Sequence, residues 1–398
     1  MSDYTVPGVY IEEPFRLALS IPSGATAVPV FALDDGNFDP KQSDGLLGAS
    51  FPLALAASEA HAFDTWMDVQ SIIVIPHGKN DQEVNAVLNH CPVFLALKAY
   101  FDNGGGRCYV VQVGKLAEVV PGLDDATLIV QAGAKLEGFG EQVAKLCHVG
   151  STYFALYDGP NASELDATGA ATAGDQYVNG APFAAVYYPW LQASVSGSND
   201  PKVRQLVDVP PSAVMAGVYS TVDRERGVWK APANVEIRGG LRPKYRVSDA
   251  VDGVLNAPHG GKAINVIRSF RGSGVLVWGA RTLQSNLDTW RYVPVRRLFC
   301  AAERDMRAAM TVAMFEPNSQ PTWERVRIAV TNYLHRLWAQ GALIGDTPQA
   351  AYFAQVGLGV TMSQADVEAG RMIVKVGMAA VRPAEFIVLQ LTQDVVPA

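Results

Sequence analysis

Residues 275–298, VLVWGARTLQSNLDTWRYVPVRRL, constrain the fold of this chain more than any other stretch. Four apolar residues ending at Trp278 have the length and composition of a buried strand, and Gly279 ends the run. A polar link leads to a second apolar run beginning at Trp290, and a helical pattern starts at about Arg296. The interleaved arginines are planar cations suited to bidentate pairing with carboxylates. The stretch therefore predicts a strand, a turn, an extended aromatic segment and a helix, without a catalytic pattern.

A chain of 398 residues is too long for one ordinary hydrophobic core, so two or three domains are expected. Hydrophobic residues make up 49% and charged residues 18%, which is typical of a globular protein. The formal net charge of -7 argues against general nucleic-acid binding. From Gly261 onward, however, 15 Lys and Arg outnumber 10 Asp and Glu, which favours a face for an acidic partner. Chance placement combined with internal ion pairs explains the same asymmetry equally well.

The four cysteines show neither a CxxC spacing nor the density of a disulfide-stabilised scaffold; they are Cys91, Cys108, Cys147 and Cys300. They are expected to be reduced, buried thiols of a protein made in the cytoplasm. The first residues lack the basic and apolar regions of a secretory signal, and no apolar run approaches the roughly 20 residues of a membrane helix. Membrane insertion is therefore not expected.

Apolar runs bounded by Gly and Pro predict several further elements. Short strands are expected at residues 72–75, after Gly106, at 183–188, at 264–267 and at 373–376, and helices at 52–70, 85–102, 296–314 and 322–340. Pro92 has to bend or restart the second of these helices. Residues 115–182 alternate weak helix signals with turns rich in Gly, Ala, Asp and Asn, which favours a variable, exposed region.

No catalytic motif is present: the sequence has no GxSxG elbow, no HExxH pair and no Walker lysine. The glycines at 104–106 end a helix and precede a strand, the reverse of the order that points helix N–H groups at a phosphate. Neither His90-Cys91 nor Cys147-His148 suits a metal site, because adjacent side chains point to different faces. No catalytic, cofactor-binding or metal-ligating residue is therefore assigned.

Both ends of the chain have the composition of short strands. The residues concerned are Val9, Tyr10, Ile11 and Glu12 near the start, and Phe386, Ile387, Val388 and Leu389 near the end. A strand this short cannot stabilise itself and has to pair with an existing sheet edge. Two interpretations of the first segment remain open: an edge strand of its own domain, or a strand donated to a neighbouring subunit.

Several of these blocks together resemble the sequence signature of contractile-tail sheath proteins, which form the outer sleeve of myophage tails and of related injection particles. The signature residues are Trp278, Arg281, Trp290, Tyr292, Arg296 and Arg297. The Pro-Gly-Val-Tyr-Ile-Glu-Glu start, the glycine block after Phe101, residues 223–234 and the Arg-Pro-Ala-Glu-Phe ending are similar to the same family. The resemblance covers most of the chain and favours donation of the first strand.

The resemblance implies an α/β (α+β) fold, in which a mixed sheet flanked by helices is similar to subtilisin-type folds. An additional peripheral domain and extended N- and C-terminal β arms complete it. The implied parts are an N-terminal arm at 1–22, an α/β part at 23–120, a variable outward-facing region at 121–182, a middle core at 183–262, a C-terminal core with two long helices at 263–377, and a C-terminal β arm at 378–398.

The implied function is that of a structural subunit, without enzymatic activity or cofactor, that polymerises helically around an inner tube. Contraction would drive the tube through a target cell envelope while strands donated between subunits keep the sleeve connected. The implied partners are further copies of the chain, the inner tail tube protein, and the baseplate and tail terminator proteins, with no direct nucleic-acid contact. The implied location is a virion tail or phage-tail-like particle, assembled in the host bacterial cytoplasm.

Arginines on the two C-terminal helices are predicted to face an acidic inner tube; they are Arg304, Arg307, Arg325 and Arg336. Internal pairing or solvation is the alternative for each of them. Two other classes of protein also remain open, a subtilisin-like hydrolase and a monomeric binding module. A Ser-His-Asp triad cannot be assigned from the sequence, and a fold does not by itself define a function.

Overall fold

The described part of the chain forms three sheets, of eight, three and two strands. A computed structural model describes residues 19–33, 60–71, 92–196, 204–258, 260–286 and 289–385. The predicted strands at 9–12, 72–75 and 386–389 lie outside these residues. The larger of two compact units runs from Gly24 to Arg304 and resumes at Ala380, and the smaller unit holds residues 19–23 and 305–379. Both units combine segments distant in sequence, whereas the sequence analysis divides the chain into six consecutive parts.

In chain order the strands are β1 Pro29–Leu33, β2 His61–Phe63, β3 Cys108–Gln112, β4 Leu128–Val130, β5 Phe154–Asp158, β6 Ala184–Tyr188, β7 Leu191–Ser196, β8 Arg204–Val209, β9 Arg242–Pro243, β10 Ile264–Phe270, β11 Gly274–Trp278, β12 Tyr352–Gln355 and β13 Lys375–Met378. The helices are α1 Trp66–Ser71, α2 Pro92–Asp102, α3 Leu116–Val119, α4 Leu136–Leu146, α5 Ala167–Thr172, α6 Pro211–Arg226, α7 Asp249–Asn256, α8 Val293–Met310, α9 Gln320–Ala339, α10 Pro348–Ala351 and α11 Gln364–Glu368. Short 3₁₀ turns occupy Val113–Lys115, Val120–Gly122 and Thr311–Ala313.

The eight-stranded sheet of the larger unit has the order β11-β10-β6-β5-β4-β1-β3-β2. Its six inner strands run parallel, and the edge strands β2 and β11 pair antiparallel with β3 and β10. Parallel strands are covered on both faces, which is why their sequences are continuous apolar runs. β5 and β6 are buried along their whole length. The mixed sheet flanked by helices agrees with the fold class inferred from the sequence.

Alternate residues of the inner strands fill two separate hydrophobic cores, because successive side chains point to opposite faces. Phe31 and Leu128 belong to one core, with residues of α2 and α6. Val30 and Ile129 belong to the other, with residues of α4, α5 and α7. α6 is buried at every position from Pro211 to Val222, so it is the central helix of its face.

In the smaller unit, α9 buries the stripe of apolar residues at helical spacing that the sequence predicts: Val326, Val330, Tyr333, Leu334 and Leu337. The predicted short helix capped by Ser363 is also present, and a capping box with Asp366 starts it. β12 and β13 form a separate antiparallel pair in which Phe353 lies opposite Gly377. Thus the C-terminal helices are confirmed, with α8 beginning at Val293, three residues earlier than expected.

Three expectations need correction. Residues 121–182 contribute β4 and β5, which lie in the middle of the sheet and are completely buried, so an outward-facing region is wrong for this part of the stretch. The helix expected over 52–70 is, in its described part, the edge strand β2 followed by α1. β11 is an edge strand and not a buried one, and Trp278 at its end is 43% exposed.

Candidate functional site

Arg281 binds Glu385, the last described residue before the C-terminal segment. Arg281 follows β11 and pairs with Tyr292 through an isolated antiparallel bridge. Its Nε donates to both carboxylate oxygens of Glu385, at 2.9 and 3.1 Å, and its Nη2 donates to Oε2 at 2.5 Å. The Tyr292 hydroxyl donates to the same Oε2 at 3.2 Å. The side chains of Arg281 and Glu385 are only 9% and 19% exposed, so this bidentate pair is largely removed from water.

Asn265 on β10 fixes Arg281 in turn. Its side chain accepts a hydrogen bond from Arg281 N at 2.7 Å and donates to Arg281 O at 2.9 Å. Arg281 Nη1 donates to Asn256 O at 2.8 Å. Gly279 permits this close approach, because a Cβ there would lie 2.8 Å from Asn265 Oδ1. The Gly-Ala-Arg sequence therefore positions a guanidinium whose backbone and side chain are both held.

A second buried arginine, Arg297 on α8, holds the chain just before β1. Its Nη1 and Nη2 donate to the two carboxylate oxygens of Asp223, at 3.0 and 2.6 Å, and Nη2 also donates to Thr26 O at 2.9 Å. Thr26 Oγ1 donates to Asp223 Oδ2 at 2.6 Å. The guanidinium lies over the Tyr219 ring, 4.4 Å from its centroid. Burial by itself lowers the pKa of Arg297, but the Asp223 carboxylate raises that pKa above its usual value, so the charge is retained.

Arg296, the neighbour of Arg297, packs against aromatic rings. Its guanidinium lies 4.1 Å from the Trp290 ring centroid and 4.5 Å from that of Phe183. Glu303 is its carboxylate partner, at a long 3.5 Å. Cation–π contacts in a desolvated setting are worth about 2 kcal/mol. Arg296 thus packs the start of α8 against aromatic rings, while Arg297 holds the N-terminal segment.

Two of the four arginines predicted to face a tube contact backbone near the start of the described chain. Arg304 donates to Ala25 O within the larger unit, and Arg336 donates to Ile21 O within the smaller one. These contacts correspond to the alternative of internal pairing. A guanidinium carries five donors, however, so one bond to a carbonyl leaves others for a further partner.

Of the four, Arg307 and Arg336 are exposed, whereas Arg304 and Arg325 are half-buried. Arg325 pairs with Glu316 at 3.0 Å, and its side chain remains 40% exposed. Arg307 is exposed near the end of α8. The tube-facing role of all four arginines stays a prediction.

The smaller unit carries most of the exposed large apolar side chains in the described ranges. Eight of the thirteen large apolar side chains exposed in the described ranges belong to it, namely Met314, Phe315, Ile328, Ile344, Phe353, Leu358, Val360 and Ile373. Within this unit, β12 and β13 have no third strand among the described residues, so each presents an outer edge. Exposed apolar side chains and open strand edges are both typical of surfaces that bind other chains.

A buried polar cluster lies where an enzyme of this architecture would have its active site, at the carboxyl ends of the parallel strands. Asp158, at the end of β5, accepts hydrogen bonds from the backbone N–H groups of Ser212 and Gly133, both at 2.8 Å. Ser212 Oγ accepts from Ala132 N at 2.9 Å, and no described histidine hydrogen-bonds to it. Burial raises the pKa of Asp158 to about 6, although the two N–H donors oppose that shift. The cluster joins β5 to the start of α6, and the Ser212 side chain also hydrogen-bonds to Asp158.

The cysteines and potential metal ligands of the described ranges do not indicate a further site. Cys108, Cys147 and Cys300 are buried free thiols. No group of three His, Cys, Asp or Glu side chains in these ranges is arranged to hold a metal ion. None of the described helices combines the length and apolar composition needed to cross a bilayer.

Residues 285–394 match the family model described as the phage tail sheath C-terminal domain. Over its whole length, the chain is similar to the sheath of an extracellular contractile injection system, PVC, solved in the contracted state. The two chains are 48% identical, 99% of each is covered, and the TM-score is 0.80. This chain belongs to the contractile sheath protein family. It is a sheath subunit of an injection system, a structural protein and not an enzyme.

Two chains of the anti-feeding prophage are also similar to this sheath protein. One, from the contracted helical sheath, is 37% identical, covers 98% of this chain and 100% of its own, and has a TM-score of 0.72. The other, from the contracted baseplate, is 41% identical, with 98% and 99% coverage and a TM-score of 0.76. A putative prophage major tail sheath protein of Pseudomonas aeruginosa (strain UCBPP-PA14) is 33% identical over 91 residues, which are 21% of this chain and only 22% of that protein.

Sequence reasoning located the arginines of the sheath signature but missed their partners. Arg281 and Arg297 make the bidentate pairs that their chemistry suggested, with Glu385 and Asp223. Glu385 was visible as a single charge entering an apolar terminal segment, and Asp223 as one acid among several arginines. The separations of 104 and 74 residues left no local signal for either pairing. The two terminal strands themselves lie outside the described residues.

Proposed function

We propose that subunits of this sheath polymerise helically around an inner tube and that contraction drives the tube through a target cell envelope. The observation that carries the proposal is the full-length similarity to a sheath complex in the contracted state. A helical polymer follows from contacts between different surfaces of identical subunits when the rotation does not close a ring. The particle would be a phage-tail-like injection device assembled in a bacterial cytoplasm.

Exchange of terminal strands is the proposed link between subunits. Residues 9–12 and 386–389 have strand-forming composition, and β12 and β13 offer two open edges. An isolated two-stranded sheet is only marginally stable, so strands added at its edges supply main-chain hydrogen bonds that it lacks. Main-chain pairing tolerates small changes of orientation, so it can persist while subunits rotate past one another. We therefore assign β12 and β13 as the acceptor of both arms.

The proposed further partners are the inner tube, the baseplate and the tail terminator. The baseplate is supported by the similarity to a chain of the anti-feeding prophage baseplate. For the tube, the support is the excess of Lys and Arg over Asp and Glu from Gly261 onward, together with the exposed positions of Arg307 and Arg336. Complementary charge increases the rate and specificity of association more than the final affinity.

Negative-stain microscopy of the full chain beside a version lacking residues 1–15 tests the proposal. Long striated tubes or stacked rings are expected from the full chain and not from the truncated one. Tubes that survive truncation would contradict donation of the first strand, while leaving polymerisation itself supported. A full chain that forms no polymer, even with tube protein added, would overturn the proposed function.

A further inference from the structure

We propose that two buried arginine clusters anchor the chain near the terminal arms, so that a pull on the C-terminal arm is borne by the core of the larger unit. The clusters are Arg281–Glu385 at the C-terminal root and Arg297–Asp223–Thr26 at the N-terminal root. The inference rests on the proposed exchange of terminal strands. Arg281, Glu385, Arg297, Asp223 and Thr26 are positioning residues, because none of them belongs to an exchanged strand.

The C-terminal anchor holds the chain directly before the predicted strand at 386–389. Ala379 N donates to Ala351 O at 2.9 Å, and Ala380, which lies in a β-bridge, is the last described residue with a secondary-structure partner before Glu385. Glu385 is therefore the point at which the chain is held again, directly before the predicted strand at 386–389. Four extended residues span roughly 13 Å. Without the anchor, a pull on the arm could stretch this link to its full length before the core resisted.

The force on Glu385 is distributed over several elements. Arg281 passes it to β10 through the two hydrogen bonds of Asn265, and to the end of α7 through Asn256 O. Tyr292, which also binds Glu385, directly precedes α8, so part of the force reaches that helix. β10 lies inside the eight-stranded sheet, between β6 and β11. The arm is therefore tied to the sheet and not to a surface loop.

The N-terminal segment is held at two points, first at Ile21 by Arg336 in the smaller unit and then at Thr26 by a buried cluster of the larger unit. Asp223 and Ser220 on α6 contact the segment that leads into β1: Asp223 accepts from Thr26 Oγ1, and Ser220 Oγ donates to Ala27 O at 3.0 Å. From α8, Arg297 donates to Thr26 O. α6 is the central buried helix of its face, so this root too is tied to the core.

Burial separates these pairs from ordinary surface ion pairs. Arg297 and Asp223 have side chains only 2% and 4% exposed. Exposed pairs contribute little because water and salt screen them, whereas breaking a buried pair leaves an uncompensated charge. A charge pair retained under such conditions, at the root of each arm, fits a positional role better than a general contribution to stability.

The experiment uses the full chain and four variants: Glu385→Gln, Glu368→Gln, an insertion of Gly-Ser-Gly-Ser between Glu385 and Phe386, and a deletion of residues 386–398. Glu385→Gln keeps the shape but removes the charge of the anchor. Glu368 on α11 is exposed and accepts a hydrogen bond from Gln364, so it is the matched control. The insertion keeps the ion pair and restores slack. Each variant is measured as a dilute subunit by thermal unfolding and as a polymer by sedimentation and negative stain.

We expect the insertion to lower the fraction of protein in tubes by about tenfold, while the unfolding midpoint of the dilute subunit stays near that of wild type. Glu385→Gln should lower the fraction in tubes by at least as much and should also lower the midpoint, because it leaves the buried Arg281 guanidinium without its carboxylate. Glu368→Gln should match wild type in both measurements. Normal tubes from both Glu385→Gln and the insertion, with none from the deletion, would overturn the anchor and leave strand exchange intact. Normal tubes from the deletion would instead refute strand exchange at this end. Equal losses of subunit stability and tube formation in Glu385→Gln, with a harmless insertion, would reduce Glu385 to a purely structural role.

Discussion

At the scale of single residues, the Arg297–Asp223 pair gives a sharp stability prediction. Asp223→Ala leaves a guanidinium that is 2% exposed without its carboxylate, and removing one partner of a buried pair costs about 3–5 kcal/mol. We expect a loss of that size in the free energy of unfolding, measured by denaturant titration of the dilute subunit.

A matched control is Lys115→Met, which breaks the exposed pair between Lys115 and Glu118, with side chains 40% and 66% exposed. The expected loss there is below about 1 kcal/mol. Equal effects of Asp223→Ala and Lys115→Met would contradict the distinction between anchoring and surface pairs.

Asp158 gives a pH-dependent prediction. Its pKa in the folded chain is about 6, raised by burial from the ordinary value of 3.8, so the folded state binds the proton more tightly than the unfolded state. Its contribution to stability is therefore fully present below pH 3.8 and is lost as the pH rises through 6. The amount lost is roughly 3 kcal/mol, from the usual 1.36 kcal/mol for each pH unit.

Other carboxylates titrate over the same range, so the informative quantity is the difference between wild type and Asp158→Asn. In denaturant titrations from pH 4 to pH 7, wild type should lose stability relative to the variant, because Asn carries no titrating proton. A constant difference between the two proteins across this range would contradict a buried, proton-binding Asp158.

At the scale of elements, α6 and α2 touch through a glycine. A Cβ at Gly217 on α6 would lie 2.5 Å from Tyr100 O and 2.8 Å from Asn103 Cβ, so Gly217→Ala forces the two helices apart. Overpacking of this kind costs about 1–3 kcal/mol. The control is Gly253→Ala on α7, where a Cβ meets nothing within 4 Å.

Because Ala is the better helix former, Gly253→Ala should stabilise the subunit by about 0.5–1 kcal/mol. The two substitutions are chemically identical, and their opposite signs would be read from thermal unfolding of each variant. A stabilising Gly217→Ala would mean that α2 and α6 are not in the close contact described.

How much of the fold the sequence predicted depends on the length of each apolar run. β6 stands out because it belongs to an unbroken apolar and aromatic run that ends at Pro189, and α9 stands out by its periodicity. β4 has only three residues, and its loops are rich in Gly and Ala, so local composition resembled a surface region. β11 has a buried-strand composition but lies at the sheet edge, because position within a sheet is decided by tertiary pairing.

From the sequence, only the arginines of the candidate site could be predicted, and not their partners. Residue type and spacing identified Arg281 and Arg297 as arginines for bidentate pairing. Their partners, Glu385 and Asp223, come from distant parts of the sequence and are brought to them only by the folded sheet and helices. Long-range pairing of this kind leaves no periodicity in a single sequence.

At the scale of the whole molecule, the anchors and the open strand edges belong to different units. The larger unit contains both anchors, and the smaller unit contains most of the exposed apolar side chains and the two open strand edges. A polymer that changes shape without separating needs firm attachment of its links at one end and an accessible acceptor at the other. This arrangement agrees with a contractile sheath subunit.

Charge reversal tests the tube-facing prediction at this scale. Arg307→Glu should reduce co-assembly with the tube protein while leaving tube-free sheath polymers unchanged, and the defect should be larger at low salt, where exposed charges are less screened. Arg271→Glu, at an exposed position of the larger unit, is the control. Co-sedimentation that is unchanged by Arg307→Glu would remove Arg307 from the tube-facing set.

The most direct test of the account is a cryo-EM reconstruction of the assembled sheath at a resolution that traces the main chain. The account predicts that residues 9–12 of one subunit and 386–389 of another lie along the outer edges of β12 and β13 of a third. It also predicts that Glu385 stays paired with Arg281 of its own subunit. Terminal segments folded back on their own subunit, with β12 and β13 unpaired in the lattice, would contradict it.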